Sequence, residues 1–395
     1  MNLTLYPHQQ NFLDRNIHRH LLAFGTGLGK TLTAIEYIKK HKIRTTLVIC
    51  PKTIKEQWEA ELHKHLSIQP NLKSLVVTKE QFRDKFDHSV PADLVIVDEA
   101  HFFFGLKSRM HKTLKNYFQR HDTKHRLLLT ATPVLSAGSM NVYATSLLLG
   151  KEVNYIEWRK TFQYRRSIGR GRFAWFDRED ERTVKKLYAY LGKIGTFVSS
   201  DEVYKVPPQT TKQHLIKPPQ ALRNALQCEL DGETEPIVIW TKTHRLEQRF
   251  KRDYVRDLAS KYKRVMIVTR YVDELQEYSH LFNERPNVAV LSGKTKDRYN
   301  LIKSIQDKEN YVFIVNSAIS EGYELPHTEA IIYASLDFSI KNKIQMDGRA
   351  LRMNKPSPTD IHIVVITGGS DQDVYKSIEK KEDFNLNMFI HNKKS

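Results

Sequence analysis

The sequence predicts an α/β chain with two parallel sheets, each flanked by helices. Three observations carry that expectation. Short runs of branched apolar residues alternate with helical stretches through most of the 395 residues. Within the first half, an apolar run passes through a glycine-rich turn into an amphipathic helix. Between the two sets of runs lies a basic, aromatic-rich region, then a stretch punctuated by Pro207-Pro208 and Pro218-Pro219.

The first element is Leu21–Thr31, LLAFGTGLGKT, followed by TLTAIEYIKK with Leu32, Ile35 and Ile38 on one face. Strand, glycine turn and helix make a phosphate-binding geometry. Glycines let backbone N–H groups close around phosphate oxygens, and the helix directs its partial positive end at them. The strict pattern wants glycine where Phe24 stands; Gly27, Gly29, Lys30 and Thr31 keep the part that touches phosphate. Lys30 is expected on the β- and γ-phosphates and the Thr31 hydroxyl on Mg²⁺. Upstream, Tyr6-Pro7-His8-Gln9 opens a short helical stretch. A glutamine amide can pair with adenine N6 and N7, so Gln9 is a candidate base contact, with a surface glutamine as the plain alternative.

The strands follow in order. TTLVICP (45–51) is a buried strand with Lys52 and Thr53 past its end, then a helix containing Trp58. SLVVTKEQF (74–82) is a second, ending in Thr78 and Lys79. ADLVIVDEAH (92–101) runs straight into Asp98-Glu99-Ala100-His101, and HRLLLTATP (125–133) ends in Thr130-Ala131-Thr132. Carboxylates at the carboxyl end of a buried parallel strand lie at the ligand edge of an open α/β sheet. From about Gly150 the pattern changes. Residues 158–197 lack a buried strand and read as a mainly helical, basic insertion with a turn near Gly169–Arg172. A second sheet of similar size, without a phosphate loop, is expected from 263–269, 287–293, 311–317, 330–336 and 361–367. One more helix starts at Ser370 and ends in a basic NKKS. The expected domains are 1–149, a basic helical insertion over 150–205, a linker and entry over 206–232, and a second lobe over 233–395.

Composition narrows the partners. Lys and Arg total 63 against 45 Asp and Glu, a net charge of +18. That excess favours a polyanion. Nucleic acid is preferred to an anionic membrane, because no basic amphipathic helix or lipidation signal is present and no run reaches the roughly eighteen apolar residues of a span. The N-terminus has neither the basic start nor the apolar core of an export signal. Two distant cysteines, Cys50 and Cys228, exclude a disulfide framework and fit a reducing, cytoplasmic setting.

ATP hydrolysis needs a held triphosphate, a metal, an oriented water and positive charge on the departing phosphoryl group. Asp98 is placed to complete a Mg²⁺ shell, and Glu99 to orient or deprotonate the water. In QMDGRALR (345–352), Arg349 and Arg352 stand three apart on a helical stretch. Alone they are a solvated face; with a phosphate loop in the same chain they are candidate arginine fingers.

Taken together, GTGLGKT, DEAH, TAT and QMDGRALR resemble superfamily 2 helicases and translocases in order and spacing, over nearly the whole chain. VICPKTIKEQWEAEL, LLLTATPVLSA, FVSSDEVYKVPPQ and DQDVYKSIEKKEDF resemble segments of the Swi/Snf-like DNA translocases. The resemblance implies two RecA-like lobes and an ATP-dependent, Mg²⁺-using motor on double-stranded or branched DNA. It implies an adenine contact for Gln9, phosphate and metal binding by Lys30, Thr31 and Asp98, and catalysis by Glu99. His101, Thr130 and Thr132 would couple the ATP site to the DNA path, and Gln345, Arg349 and Arg352 would complete the site. Lys52, Thr53, Thr78, Ser292 and Ser317 match positions on the nucleic-acid backbone. In the insertion, Arg165, Arg166, Arg170 and Arg172 lie among Tyr164, Phe173, Trp175 and Phe176. Phosphate contact with base stacking is one reading there, and a hairpin with a solvated basic face is the other. MNKP after Arg352 departs from the Swi/Snf ending and looks more like phage branch-migration helicases and repair helicases of the XPB kind. Glu321-Gly322 replaces a small-residue pair. The compact build suggests a phage or viral type, placing the protein in the host cytoplasm. An RNA helicase and a non-hydrolysing nucleic-acid binder are the alternatives.

Overall fold

The computed structural model describes residues 5–25, 27–66, 72–131, 138–168, 172–199, 203, 210–319, 323–350 and 358–379. The chain divides into two compact units, Met1–Tyr204 and Lys205–Ser395.

The first unit opens with α1 (Pro7–Asp14), β1 (Arg19–Phe24) and α2 (Lys30–Lys40). Next come β2 (Thr45–Cys50), α3 (Lys55–Leu66), β3 (Lys73–Thr78), α4 (Lys79–Asp84) and β4 (Leu94–Val97). They are followed by α5 (Arg109–His121), β5 (His125–Thr130), α6 (Ser139–Leu148) and α7 (Tyr155–Phe162). The unit continues with β6 (Gln163–Ser167), β7 (Phe173–Asp177), α8 (Glu181–Ile194) and β8 (Gly195–Val198). Six strands form one parallel sheet in the order β3-β2-β4-β5-β1-β8. All four residues of β4 are buried, which is why that strand reads as an unbroken apolar run. Two apolar layers cover the sheet. Phe103, Leu114, Phe118 and Trp158 belong to one, and Phe12, Tyr37, Ile38 and Trp58 to the other.

The second unit repeats the plan. Its sheet contains β9 (Thr210–Ile216), β10 (Arg264–Thr269), β11 (Val288–Leu291), β12 (Tyr311–Asn316), β13 (Ala330–Tyr333) and β14 (Asp360–Ile366). These are all parallel, in the order β11-β12-β10-β13-β14-β9. Helices between the strands cover both faces. The helix Pro236–Arg249 packs against the helix Ser370–Glu379.

Three segments depart from the sequence reading. Within the insertion, β6 and β7 pair antiparallel as a hairpin between helices α7 and α8, where a helical stretch and a basic turn were expected. Most of its residues are exposed, so no one-sided apolar alternation marks it in the sequence. Arg165 instead lies opposite Trp175, with its guanidinium 4.2 Å from the Phe173 ring centroid. The end of the expected insertion, β8, returns to the first sheet beside β1. The expected linker over 206–232 contributes β9, which pairs with β14 from Thr210↔Asp360 to Ile366↔Ile216. As an edge strand with one neighbour and mostly exposed side chains, TTKQHLI needs no apolar run.

Candidate active site

Parallel strands bring their carboxyl ends to one edge of a sheet. In the first unit that edge gathers the loop after β1, Lys52 and Thr53 after β2, Thr78, Asp98-Glu99 after β4, and Thr130. Gly27 and Gly29 have φ of 81° and 73°, the left-handed conformation that lets the loop turn into α2. Gly29 is the residue on which α2 starts, so its first N–H groups face the loop. Leu28 is fully buried between the glycines and fastens the turn to the core. The Lys30 ammonium donates to the carbonyls of Phe24 (3.0 Å) and Gly25 (3.3 Å) and so lies across the turn. Thr31 occupies the next position of α2.

Gln9 sits under this loop. It is 1% exposed; its Oε1 accepts from Tyr6 N–H, and its Nε2 donates to the Gly29 carbonyl and to Thr33 Oγ1, both at 3.1 Å. A Cβ on Gly29 would stand 2.4 Å from that nitrogen, so the close approach requires glycine. The amide therefore bolts the loop to α1 and α2, and an adenine contact would have to exchange one of these bonds. His8 adds a second tie, its Nε2 lying 3.0 Å from the Leu28 carbonyl, and its ring stacks on Tyr6.

The acidic pair follows β4. Asp98 Oδ2 accepts from the Trp58 indole N–H at 2.8 Å, and Oδ1 accepts from Glu99 N–H at 2.8 Å. Burial, then repulsion from Glu99, pushes the Asp98 carboxyl up to about 6, while Lys30 pulls in the other direction. Glu99 has φ 48° and ψ 50°, a left-handed conformation that is strained for a residue with a side chain. Strain of this kind persists where the surrounding fold enforces it, often at working sites. His101 Nδ1 lies 3.2 Å from a Glu99 carboxylate oxygen and 3.5 Å from Thr130 Oγ1. The end of β4 is thereby joined to the end of β5.

Two residues that mattered went unassigned in the sequence, Trp58 and His8. An indole N–H in a buried helix needs an acceptor, and that requirement was the available signal for Trp58. Thr78 has a task already: its hydroxyl accepts from Gln81 N–H and caps α4. Lys52 is exposed, and Thr53 is half-buried beside it. On the hairpin, Arg165, Arg166 and Arg172 are exposed, with the rings of Phe173, Trp175 and Phe176 close to half exposed. Thr132, Arg170 and Arg352 lie outside the described residues.

In the second unit, the helix Ile340–Ala350 carries Gln345, 2% exposed, and Arg349, which donates to the Tyr323 carbonyl at 3.3 Å. Ser317 is buried and donates its hydroxyl to Asp337 at 2.7 Å. The Ser292 hydroxyl accepts from Lys294 N–H at 3.2 Å. Both serines follow strand ends, as β9–β14 are all parallel.

A phosphate loop, an acidic pair at the same sheet edge and a second parallel sheet define the class of P-loop proteins with two RecA-like lobes. Residues 11–90 match the SNF2-related domain, and residues 249–354 match the helicase conserved C-terminal domain. Over these two stretches the chain is similar to superfamily 2 helicases and translocases of the Swi/Snf-like kind. It is 31% identical over 155 residues to an uncharacterized ATP-dependent helicase, YqhH, of Bacillus subtilis, covering 34% of this chain and 27% of the relative. It is 22% identical to the SWI/SNF-related matrix-associated actin-dependent regulator of chromatin subfamily A-like protein 1 of Xenopus laevis, over 96% of this chain and 43% of the relative. The DNA 3'-5' translocase XPB2 of Sulfurisphaera tokodaii is 23% identical, over 89% of this chain and 78% of the relative. Among solved structures, the Sulfolobus solfataricus SWI2/SNF2 ATPase core in complex with dsDNA matches with a TM-score of 0.45 and 16% identity. That match covers 96% of this chain and 91% of the other. The chain thus spans about a quarter and under half of the first two relatives. These relatives are bacterial, archaeal and animal, and none supports a phage or viral type.

Proposed function

We propose that this chain is a nucleic-acid-stimulated ATPase that translocates on, or remodels, double-stranded or branched DNA. The observation that carries the proposal is the acidic pair. Asp98 and Glu99 are held at the sheet edge that bears the phosphate loop, and the Asp98 carboxyl is raised by burial yet within the field of Lys30. A buried carboxylate with hard oxygen donors beside a phosphate cradle suits a divalent cation. Thr31 and Asp98 are the residues that would hold Mg²⁺, which when bound neutralises phosphate charge and polarises the phosphoryl group.

The chain's own groups supply the rest. The N–H groups of the loop and of the α2 start, with Lys30, bind and orient the triphosphate. Glu99, fixed by its backbone conformation and faced by His101, orients the attacking water and accepts its proton at a carboxylate oxygen. Gln9 positions the loop, with adenine recognition as its further role. His101, Thr130 and Thr132 relay the nucleotide state. Gln345, Arg349 and Arg352 are assigned to charge that develops in the transition state. Lys52, Thr53, Thr78, Ser292, Ser317 and the insertion arginines are assigned to the nucleic-acid backbone; the net charge of +18 and the exposed arginine–aromatic hairpin support that. The cysteines, buried Cys50 and exposed Cys228, are both free, which supports a reducing cytoplasmic setting. No helix among the described residues is long and apolar enough to cross a membrane.

The test is steady-state ATP turnover with duplex, forked, four-way and single-stranded DNA, and with RNA. Duplex or branched DNA is expected to stimulate most. Glu99→Gln is expected to bind ATP normally and lose about 10²–10⁴-fold in turnover, the usual contribution of a positioned base. Absence of stimulation by every nucleic acid overturns the motor; stimulation by RNA alone replaces it with an RNA helicase.

A further inference from the structure

We propose that His18, His41 and His125 form a binding site for a borderline divalent cation of the zinc class, at the sheet edge opposite the phosphate loop. Three different elements deliver these residues. His18 directly precedes β1, and His125 opens β5. The two strands are neighbours, with Arg19 in register with Arg126, so the histidines stand side by side. His41 ends α2, its N–H bonded to the Tyr37 carbonyl at 3.0 Å. One ring nitrogen from each lies within 4.8 Å of the other two.

The rings are not packed as a simple stack. Their centroids are 4.7, 5.4 and 5.6 Å apart, with planes inclined by 74°, 53° and 78°. Two ring nitrogens, His18 Nδ1 and His41 Nε2, are buried without a hydrogen-bond partner among the described residues. Buried polar atoms in folded proteins are nearly always satisfied, so two orphaned ring nitrogens within one histidine cluster call for a ligand.

Hydrogen-bond accounting fixes the third ring. Tyr37 has one hydroxyl proton, and it is donated to the Ile17 carbonyl at 3.0 Å. That hydroxyl also lies 2.7 Å from His125 Nδ1, so it accepts there and His125 carries its proton on Nδ1. His125 Nε2 is left with a free lone pair. A histidine whose second nitrogen donates to a fixed oxygen is the usual arrangement of a metal ligand.

Nitrogen-only donors favour Zn²⁺, Co²⁺, Ni²⁺ or Cu²⁺ over Mg²⁺ or Ca²⁺. Metal–nitrogen bonds of about 2.0–2.1 Å place tetrahedral nitrogens about 3.3 Å apart, so the triad closes by rotation of half-buried His18 and His41. Water completes the shell. The C-terminal end of α2 adds favourable partial charge. Occupancy would tie the far end of α2, whose near end is the phosphate loop, to the starts of β1 and β5.

The metal-stripped, untagged full chain is titrated with Zn²⁺ against a chromophoric chelator, and with Co²⁺ followed by visible absorption. One tight equivalent is expected. His18→Gln and His41→Asn, made singly, are expected to weaken Zn²⁺ at least about tenfold and to bleach the Co²⁺ bands, with circular dichroism unchanged. Tyr37→Phe keeps all three ligands and is expected to weaken binding about tenfold through loss of the hydrogen bond that orients His125. His63→Gln, on α3, is the control and leaves binding unchanged. Equal Zn²⁺ affinity in wild type, His18→Gln and His41→Asn overturns the site, as does the lack of a tight equivalent in the wild type.

Discussion

Asp98 in the first unit and Asp371 in the second are both buried aspartates, and they have opposite surroundings. Asp371 is fully buried, where burial alone would raise its carboxyl. Lys251 and His244, both fully buried, bond to it and hold it well below the usual carboxylate range. Gln248 donates to it as well, at 3.3 Å. Asp98 has two hydrogen bonds from neutral donors and an anionic neighbour, and it rises to about 6. The difference separates structure from chemistry. A buried charge that holds the fold together is paired until its cost is met. A buried charge that serves a reaction is left wanting a cation, so that the ligand supplies it.

The largest expected effect comes from breaking the satisfied one. Asp371 joins the helix Ser370–Glu379 to Lys251, which also donates to the Val364 carbonyl in β14, and to His244 on the helix Pro236–Arg249. Asp371→Asn leaves Lys251 buried and unpaired, with an expected loss of about 3–5 kcal/mol. Denaturant unfolding measures it, and amide exchange in Pro236–Arg249 and β14 should rise with it. A loss below about 1 kcal/mol would remove the contrast with Asp98.

The same substitution at Asp98 should reverse the sign. Asp98→Asn removes a charge that the fold raises, so nucleotide-free stability is expected to hold or to increase by up to about 2 kcal/mol, while ATP turnover is lost. The pH dependence sharpens this. A carboxyl raised from 3.8 to about 6 stabilises the fold in its neutral form, and that contribution is lost as pH rises between these values. The advantage of Asp98→Asn should therefore grow from pH 4 to pH 6 and then level. Asp371 is lowered, so its stabilisation is complete above its unfolded value near 3.9 and is lost only in stronger acid. Asp371 adds no pH dependence of its own between pH 5 and pH 6, but Asp371→Asn also relieves Glu247, so the cost of the substitution should shrink as pH rises through that window. Glu247, pushed up to about 7 by burial and by Asp371, titrates alike in wild type and Asp98→Asn, and cancels from that comparison.

The sequence made one of these aspartates conspicuous and hid the other. Asp98 follows LVIV at the end of a strand, and a phosphate loop precedes it, so local patterns reveal its edge position. Asp371 is one acid in the first turn of a helix, and its partners lie 120 and 127 residues away. Nothing local distinguishes it from a solvated helix start. The fold divides the same way. β1, β2, β4, β5, β10 and β12–β14 are largely buried on both sides and read as apolar runs. β8, β9 and the hairpin are short, edge or exposed, so their pairing is decided by distant neighbours rather than by their own pattern. Gln9 is legible in the sequence as a candidate adenine contact upstream of the phosphate loop, but not as the amide that fastens Gly29.

The smallest expected effect tests whether Asp98 is left wanting or merely badly placed. Trp58→Phe keeps most of the buried ring and removes one hydrogen bond, the 2.8 Å donation to Asp98 Oδ2. Because the acceptor is charged when ionised, the loss expected in nucleotide-free stability is about 1 kcal/mol above pH 6 and less below pH 4, where the carboxyl is neutral. With Oδ2 unfastened, the carboxylate samples more orientations, and the expected consequence is a weaker response to Mg²⁺: a higher concentration for half-maximal turnover, with maximal turnover changed less. A Mg²⁺ titration of ATPase activity in Trp58→Phe reads this directly. If the Mg²⁺ midpoint stays put while stability falls, the indole serves only the core, and Asp98 is oriented by Glu99 N–H alone.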